Sequence, residues 1–387
     1  MAERSREHWV GVVRQLGPGF ATRAAAHDAD DSFVADNYAE LRAHRLFSAG
    51  VPVELGGGGA SHAELTETLR VLATYCSSTA LALSMHMHQV LIPTWRWRHE
   101  RAPVDTFLRR VAAEELILVS SGGSDWVAGS GTAEKVDGGY RITGRKVFGS
   151  GAPAGDFLMT MAVYDDPTHG PTVLHFAVPM DAPGVKLQDT WRTLGMRGTG
   201  SHDTVLDGVF VPEAAIGLRR PAGRWSLPMH VTAALALPLI YAVYVGVAEA
   251  ARALALDVAT KRRDDPTTQR LVGEMENELT AARLALRHML DAATLGPMGA
   301  ETTSQVLIGR TLVAHAAIKA VERAMEVAGG AGFFRALGLE RLFRDVQGAR
   351  YHQVREPAQA LYTGRLALGL DVNDGTELDH DRHSTRI

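Results

Sequence analysis

Hydrophobic residues follow two different spacings in three successive parts of this chain. In residues 1–115 they recur three and four positions apart, which predicts amphipathic helices, most clearly over Asn37–Ala49, Ala63–Thr74 and Thr79–Val90. A glycine-rich loop, Val51–Gly59, separates the first two of these runs. It lacks the lysine and the preceding strand of a phosphate-binding loop, so we predict a flexible turn there.

The spacing changes to two in residues 116–224. Short runs alternate apolar with polar residues and are separated by Gly, Pro and Asp, a pattern typical of an antiparallel β domain. The runs read GTAEKV, GYRITG, FLMTMAVY, TVLHFAVP and DTVLDGVFVP. We expect them to form the middle domain of an α+β protein.

Helical spacing returns in residues 225–370 and predicts a C-terminal four-helix bundle. Its predicted helices are Val231–Lys261, Thr268–Ala293, Ser304–Ala328 and Leu339–Gln347. Within the first of them, Val231–Ala248 is uncharged over eighteen residues, close to the length of a membrane span. Pro238 interrupts this run and no positive charges flank it, so a helix buried on all sides is predicted instead. The polar tail 371–387 is expected to fray or pack weakly.

Composition narrows the class of protein. The chain of 387 residues is 46% hydrophobic and 22% charged, as packed globular proteins are, and its net charge of −4 includes no basic cluster. Nucleic acid and anionic membranes are therefore not expected partners, whereas a small organic substrate is. Cys76 is the only cysteine, which excludes an internal disulfide and a cysteine-built zinc site. The start of the chain lacks an apolar signal core, and we expect a cytoplasmic protein without a metal.

The segment Gly329–Glu356, GGAGFFRALGLERLFRDVQGARYHQVRE, resembles the flavin-contacting end of the acyl-CoA dehydrogenase superfamily. In the dehydrogenases a glutamate eight residues after the helix-borne aspartate removes the substrate's α-proton. The same count from Asp345 reaches Gln353, while His352 has the spacing of the active-site histidine in the oxygenase branch. The resemblance also implies that Glu326, Gly329 and Gly330 lie against the dinucleotide part of the cofactor.

Three segments of the middle domain carry the same resemblance in the same order. Ser120–Asp125, SSGGSD, matches a loop whose small residues let the backbone approach a flavin ring. Gly144–Gly151, GRKVFGSG, resembles two-component flavin hydroxylases and dibenzothiophene monooxygenase, whose serine lies near flavin N5. Thr193–Pro212 contains the Arg-Gly-Thr-Gly-Ser wording of that branch. The cofactor-contacting residues that this resemblance implies are Ser120, Ser121, Gly123, Ser124, Phe148, Ser150, Arg197 and Ser201.

The resemblance implies FAD or FMN between the middle domain and the bundle, a homotetramer or at least a homodimer, and domains at residues 1–115, 116–224 and 225–370. Coenzyme A binders place an Asp and an Arg where this chain has Ala234 and Leu237. Some members move the catalytic Glu to the position of Ala236, which cannot act as a base.

Two chemistries remain open at this point. A monooxygenase would use reduced flavin and O₂, with a separate flavin reductase or electron-transfer partner, and its adduct needs polar donors and exclusion of water. His352 and Ser150 suit it, together with whichever of His86 and His88 points inward, since residues two apart on a helix face different ways. Either of these two histidines also suits a purely structural role. An acyl-thioester dehydrogenase would need Glu356 as base. A flavin-free scaffold is the third alternative.

Overall fold

A computed structural model describes residues 7–122 and 125–373 of the chain. Its first part is helical, as predicted. A capping box at Ser61 and Glu64 starts the third helix, because each side chain accepts a hydrogen bond from the other residue's backbone N–H. The helices of this part are α1 (His8–Asp30), α2 (Ala35–Ala43), α3 (His62–Ala73), α4 (Ser77–His99) and α5 (Asp105–Glu114).

Helix α2 is shorter than the predicted run Asn37–Ala49. It ends at Ala43, and Arg45 takes a left-handed φ of 60° that stops the helix. The apolar residues beyond it, Leu46 and Phe47, are buried in a turn. Their burial produced the same apolar spacing that a longer helix would have had.

The middle part is a mixed eight-stranded sheet. Its strands are β1 (Leu118–Ser120), β2 (Thr132–Val136), β3 (Gly139–Gly149), β4 (Phe157–Asp166), β5 (Gly170–Pro179), β6 (Val185–Leu187), β7 (His202–Pro212) and β8 (Leu218–Pro221). The order is β6-β7-β3-β2-β4-β5-β8, with β1 beside β4. Most pairs are antiparallel, but β1 and β2 pair with β4 in parallel. The predicted β domain is confirmed, and its parallel pairs are an addition to the predicted antiparallel pairing, because a period of two reports burial and not strand direction.

The C-terminal part is helical again. It contains α6 (Leu227–Ala259), α7 (Pro266–Leu295), α8 (Ala300–Ala328), α9 (Leu339–Val346) and α10 (Glu356–Ala367). Helix α6 packs against α3 and α4 of the first part and against α7 and α8 of its own. It has the length and composition of a membrane span, yet its most apolar window is 94% buried within the protein. The predicted all-round burial of this helix is confirmed.

The middle sheet and the C-terminal helices meet at a close backbone contact. A Cβ on Gly195 would lie 2.4 Å from the carbonyl oxygen of Arg344, so only glycine fits there. Beside it, the buried carboxylate of Asp345 accepts hydrogen bonds from the Met196 backbone N–H and the Ser77 hydroxyl. Burial raises the pKa of Asp345. One side chain thus joins all three parts of the chain around the cavity described next.

Candidate active site

A cavity of about 1030 Å³ lies where the three parts of the chain meet. Helix α4, the sheet, helix α6 and the segment 347–355 all contribute to its wall. The wall is mostly apolar, with aromatic and methionine side chains that include Phe107, Trp126, Met159, Met161, Phe176, Trp191 and Met229. Such a cavity suits a flat, largely apolar ligand held by a few polar groups.

His352 is the imidazole that the segment 347–355 presents at this wall. Its Nε2 lies 2.5 Å from the hydroxyl oxygen of Tyr244 on α6. Burial, reinforced by the nearby charge of Arg310, lowers the pKa of His352 to about 3. Burial raises the pKa of Tyr244. Both groups are therefore neutral near pH 7. Because a phenol is a stronger donor than an imidazole N–H and an imidazole nitrogen is the stronger acceptor, we infer that the phenol donates to Nε2 and that the hydrogen of the imidazole lies on Nδ1.

Buried side chains hold this segment in place. The guanidinium of Arg310 on α8 donates to the carbonyl oxygen of His352 at 2.7 Å and lies over the ring of Tyr241. The Tyr241 hydroxyl donates to the carbonyl oxygen of Ala349 at 2.8 Å. A Cβ on Gly348 would lie only 2.7 Å from the Tyr244 oxygen, so glycine is needed for the phenol to reach His352. The histidine is fixed by the bundle and not by solvent.

Ser150 forms the opposite, sheet-side wall of the cavity. It follows Phe148, whose φ of 58° is unusual for an aromatic residue and whose ring lies edge-on to Trp191 at 5.9 Å. Strained backbone of this kind concentrates at ligand-binding positions. Phe148 is 52% exposed, which leaves a face of the ring open to a ligand. Ser150 is buried and bonded to the hydroxyl of Ser201, 2.8 Å away.

The loop after β1 also lies at the cavity. Ser120, Ser121 and Gly122 contribute to the lining, and Ser121 donates to the hydroxyl of Thr160 at 2.7 Å. The φ of 140° at Gly122 is one that only glycine adopts readily. Gly123 and Ser124, two further predicted cofactor contacts, lie outside the described residues. Small residues, buried hydroxyls and flat apolar walls together fit an isoalloxazine ring.

His86 and His88 point in different directions, as expected for residues two apart on a helix. His88 lines the cavity; its Nδ1 donates to the Ser84 carbonyl, and its Nε2 accepts from Gln89 at 3.0 Å. His86 lies in the core, where its Nε2 donates to the Phe47 carbonyl and its Nδ1 accepts from the Leu118 backbone. Burial lowers the pKa of each imidazole to about 4. His86 is therefore a structural residue, and the prediction of a catalytic role for it is corrected.

Several other predicted site residues lie away from the cavity. Glu356 begins α10 with its side chain 54% exposed and accepts from His315 at 2.8 Å. Arg197 donates to the Thr193 and Asp28 carbonyls. The remaining three, at the end of α8, are solvent-exposed: Glu326, Gly329 and Gly330. Glu356 cannot act as a base on a ligand in this cavity in the geometry observed, which counts against the dehydrogenase alternative.

The cavity wall includes three arginines, Arg96, Arg344 and Arg355, and little negative charge. Among the lining residues in the described part of the chain, Glu100 is the only carboxylate, and it pairs with Arg96 at 3.0 Å. A third lining histidine, His175, accepts from the buried Arg220, and burial lowers its pKa to about 3. The three lining imidazoles are therefore neutral near pH 7. A ligand with a positive charge would find no free counter-charge among these side chains.

Sequence reasoning missed Tyr244, Arg310 and Gln89. Tyr244 lies in the uncharged run of α6, where the pattern shows only burial. Arg310 did leave a signal, since it is a charged residue on the apolar face of α8. A buried arginine needs acceptors, and here they are the carbonyls of the segment that carries His352.

Comparison with known families agrees with this geometry. The acyl-CoA dehydrogenase N-terminal domain matches residues 14–115, the middle domain 120–209 and the C-terminal domain 239–357. The chain belongs to the acyl-CoA dehydrogenase family. The predicted resemblance and the predicted order of helical, sheet and helical parts are confirmed.

Individual relatives divide between dehydrogenase and oxygenase names. The putative acyl-CoA dehydrogenase YdbM of Bacillus subtilis is 28% identical, with 91% of this chain and 94% of YdbM covered. The amino sugar nitrososynthase RubN8 of Streptomyces rubradiris is 30% identical, covering 92% and 88%. Dibenzothiophene monooxygenase of Mycolicibacterium goodii is 27% identical, covering 90% of each chain.

A solved structure connects the fold with a flavin. KijD3 in complex with FMN and dTDP-3-amino-2,3,6-trideoxy-4-keto-3-methyl-D-glucose superimposes with a TM-score of 0.86 at 29% identity, over 95% of each chain. Structures of this fold have been determined with FMN and with FADH2. The cavity between sheet and bundle, with the residues described above, is therefore a candidate flavin and substrate site.

Proposed function

We propose that this protein is a flavin-dependent monooxygenase that uses reduced FMN or FAD and O₂ on a small organic substrate. One observation carries the proposal. A neutral imidazole, His352, lies at the cavity wall, whereas Glu356, the base that the dehydrogenase alternative requires, lies outside it on the surface. Relatives named as monooxygenases and nitrososynthases support the same class.

The flavin would activate O₂, and residues of the protein would position the flavin and the substrate. Ser150 and Ser201 would contact the ring from the sheet, and Phe148 would pack near it. His352 would meet the ring or the substrate from the bundle, with its hydrogen held on Nδ1 by the phenol of Tyr244. The apolar walls would exclude water from the space in which the flavin and O₂ react.

A neutral and largely apolar substrate fits the remaining space best. Glu100 is already paired, and the lining histidines are neutral, so a positively charged ligand would lose its hydration without gaining a counter-charge. Polar recognition would fall to His88 and Gln89 on α4, whose side chains touch each other and the cavity. An aromatic compound with one hydroxyl or N–H group is neutral and largely apolar, and it also offers a polar group to these two side chains.

The proposed reaction is tested by measuring product and H₂O₂ formed for each reduced FMN consumed. In His352→Ala we expect flavin oxidation to continue while the yield of product falls and that of H₂O₂ rises. Glu356→Gln is the matched control, because it removes a carboxylate four residues away that lies outside the cavity. A His352→Ala enzyme with unchanged yield, or a Glu356→Gln enzyme without turnover, would contradict the proposal.

Three further features belong to this proposal. Reduced flavin would come from a separate reductase or electron-transfer partner, and the protein would act in the cytoplasm. We also propose a homotetramer or homodimer, which the family resemblance implies. Two exposed leucines, Leu284 on α7 and Leu312 on α8, line a groove on the bundle surface that a second copy would cover. Light scattering on the purified protein tests the oligomeric state.

A further inference from the structure

Three buried hydroxyl groups form a chain that ends at the cavity wall. Ser150 Oγ lies 2.8 Å from Ser201 Oγ, which lies 2.7 Å from Thr199 Oγ1. Thr199 Oγ1 in turn lies 2.9 Å from the carbonyl oxygen of Met196. Ser150 and Ser201 line the cavity, while Thr199 is fully buried behind them.

The carbonyl at the far end decides the direction of every hydrogen bond in the chain. A carbonyl oxygen only accepts, so the Thr199 hydroxyl donates to Met196; otherwise lone pairs of the two oxygens would face each other at 2.9 Å. With its one hydrogen used, Thr199 accepts from Ser201. Ser201 must then accept from Ser150. Ser150 is left with lone pairs, and no hydrogen, for the cavity.

Rigid groups hold the carbonyl that sets this direction. The backbone N–H of Met196 donates to the buried carboxylate of Asp345 at 2.5 Å. The indole of Trp191 donates to the Met196 carbonyl at 3.1 Å. Met196 is therefore held at both its N–H and its carbonyl oxygen, and the direction of the hydrogen bonds between the three hydroxyl groups is set by protein groups.

We propose that Thr199 is a positioning residue that makes Ser150 a hydrogen-bond acceptor and so makes the site select reduced over oxidised flavin. The inference rests on the proposed function, because it needs the flavin N5 beside Ser150. The reduced ring carries a hydrogen on N5, while the oxidised ring presents a lone pair there. An acceptor oxygen stabilises the first and repels the second. One hydrogen bond of ordinary strength corresponds to about a tenfold preference.

The relative affinity for reduced and oxidised FMN is measured without O₂ or substrate, so that catalytic turnover does not contribute. Dissociation constants are determined anaerobically for oxidised FMN and for photoreduced FMN, together with the midpoint potential of the bound flavin. For the wild type we expect reduced FMN to bind about tenfold more tightly. The two-electron potential should then lie about 30 mV above that of free FMN.

Substitutions test whether the direction of the hydrogen bonds between the three hydroxyl groups matters, or only the presence of these groups. In Thr199→Val, Ser201 loses its acceptor and can donate to Ser150. The hydroxyl of Ser150 can then donate to a ligand in the cavity. Oxidised FMN should therefore bind more tightly than to the wild type, and reduced FMN more weakly. Thr199→Ser keeps the hydroxyl and should restore the wild-type ratio. Ser150→Ala should weaken the reduced complex and, because the repelling lone pairs are removed, strengthen the oxidised complex.

Thr204→Val is the matched control. Its hydroxyl is buried on β7, three residues after Ser201 in the sequence, and has no hydrogen-bond partner among the described residues. Its removal should leave the ratio unchanged. If Thr199→Val does not fold, Ser201→Ala serves the same purpose, because it also frees the hydrogen of Ser150.

The outcomes distinguish this inference from the function on which it rests. If neither form of FMN nor of FAD binds, the proposed function fails together with the inference. If both forms bind the wild type equally, or if Thr199→Val keeps the wild-type ratio, only the role of Thr199 is overturned.

Discussion

The phenol of Tyr244 donates a hydrogen bond to Nε2 of His352, 108 residues further along the chain. Helix α6 supplies the phenol, and the segment that follows α9 supplies the imidazole. Burial keeps both groups neutral near pH 7. Of two neutral groups the phenol is the stronger donor and the imidazole nitrogen the stronger acceptor, and we infer the direction of the bond from this difference. The tautomer of His352 is thus set by a residue from another element.

Removal of that phenol should uncouple the enzyme. In Tyr244→Phe the imidazole loses the partner that selects its tautomer, and we expect product yield per reduced flavin to fall about tenfold, the equivalent of one hydrogen bond. Product and H₂O₂ are measured after a single turnover. Tyr241→Phe is the control, because it removes a buried hydroxyl from the same helix that bonds Ala349 instead. Equal losses in the two variants would argue against a specific role for Tyr244.

Substitution at the junction of sheet and bundle should be costly. A Cβ on Gly195 would approach the Arg344 carbonyl and the Asp345 backbone nitrogen to 2.4 and 2.7 Å. We expect Gly195→Ala to lower the free energy of unfolding by about 1–3 kcal/mol. Chemical denaturation provides the measurement.

Gly273→Ala offers the opposite case for the same substitution. Gly273 is an exposed residue of α7 whose Cβ would meet nothing within 4 Å. Alanine should stabilise the helix there by about 0.5–1 kcal/mol. A Gly195→Ala protein as stable as the wild type would show that the two parts of the chain can separate without loss.

Acid should destabilise the protein below about pH 6.5. In the described part of the chain, burial lowers the pKa of five histidines to about 3 or 4, namely His62, His86, His88, His175 and His352. Unfolding returns them to about 6.5, so the unfolded state binds more protons. The stability from neutral burial is present above pH 6.5 and is lost as pH falls towards 4.

A single variant isolates one of these contributions. His62, which donates to the Leu235 carbonyl, is replaced in His62→Gln by a side chain that can also donate but does not titrate. Between pH 6 and 5 the fall in unfolding free energy should be smaller by about 1 kcal/mol than in the wild type. Above pH 7 the two proteins should respond to pH alike. A steeper acid loss in the variant would contradict the assignment.

A carboxylate introduced beside His88 should change the ligands that the cavity accepts. Gln89 donates to Nε2 of His88 at 3.0 Å. In Gln89→Glu the new charge should raise the pKa of His88 from about 4 towards its ordinary value. NMR titration of the imidazole checks this. Binding of an aromatic amine should strengthen relative to its neutral analogue, and an unchanged ratio would show that polar recognition lies elsewhere.

Much of the fold follows from local pattern. The burial of α6, the five strand segments and the three longest C-terminal helices were predictable, because burial on one face or on all faces of an element leaves a period in the sequence. The parallel pairing of β1 and β2 with β4 was not predictable, since it depends on how the chain enters the sheet. The early end of α2 was masked by buried turn residues.

By itself, the sequence determined the family, through motifs at fixed spacing, and singled out His352 and Ser150 as candidates for chemistry. Only the tertiary structure decided that His88 and not His86 faces the cavity, that Glu356 pairs with His315 on the surface, and that Met196 sets the direction of three hydroxyl groups. The physical reason is the distance along the chain over which each kind of information acts. Periodicity and motif spacing act within one element, whereas the surroundings of a side chain are built by residues that are far apart in the chain.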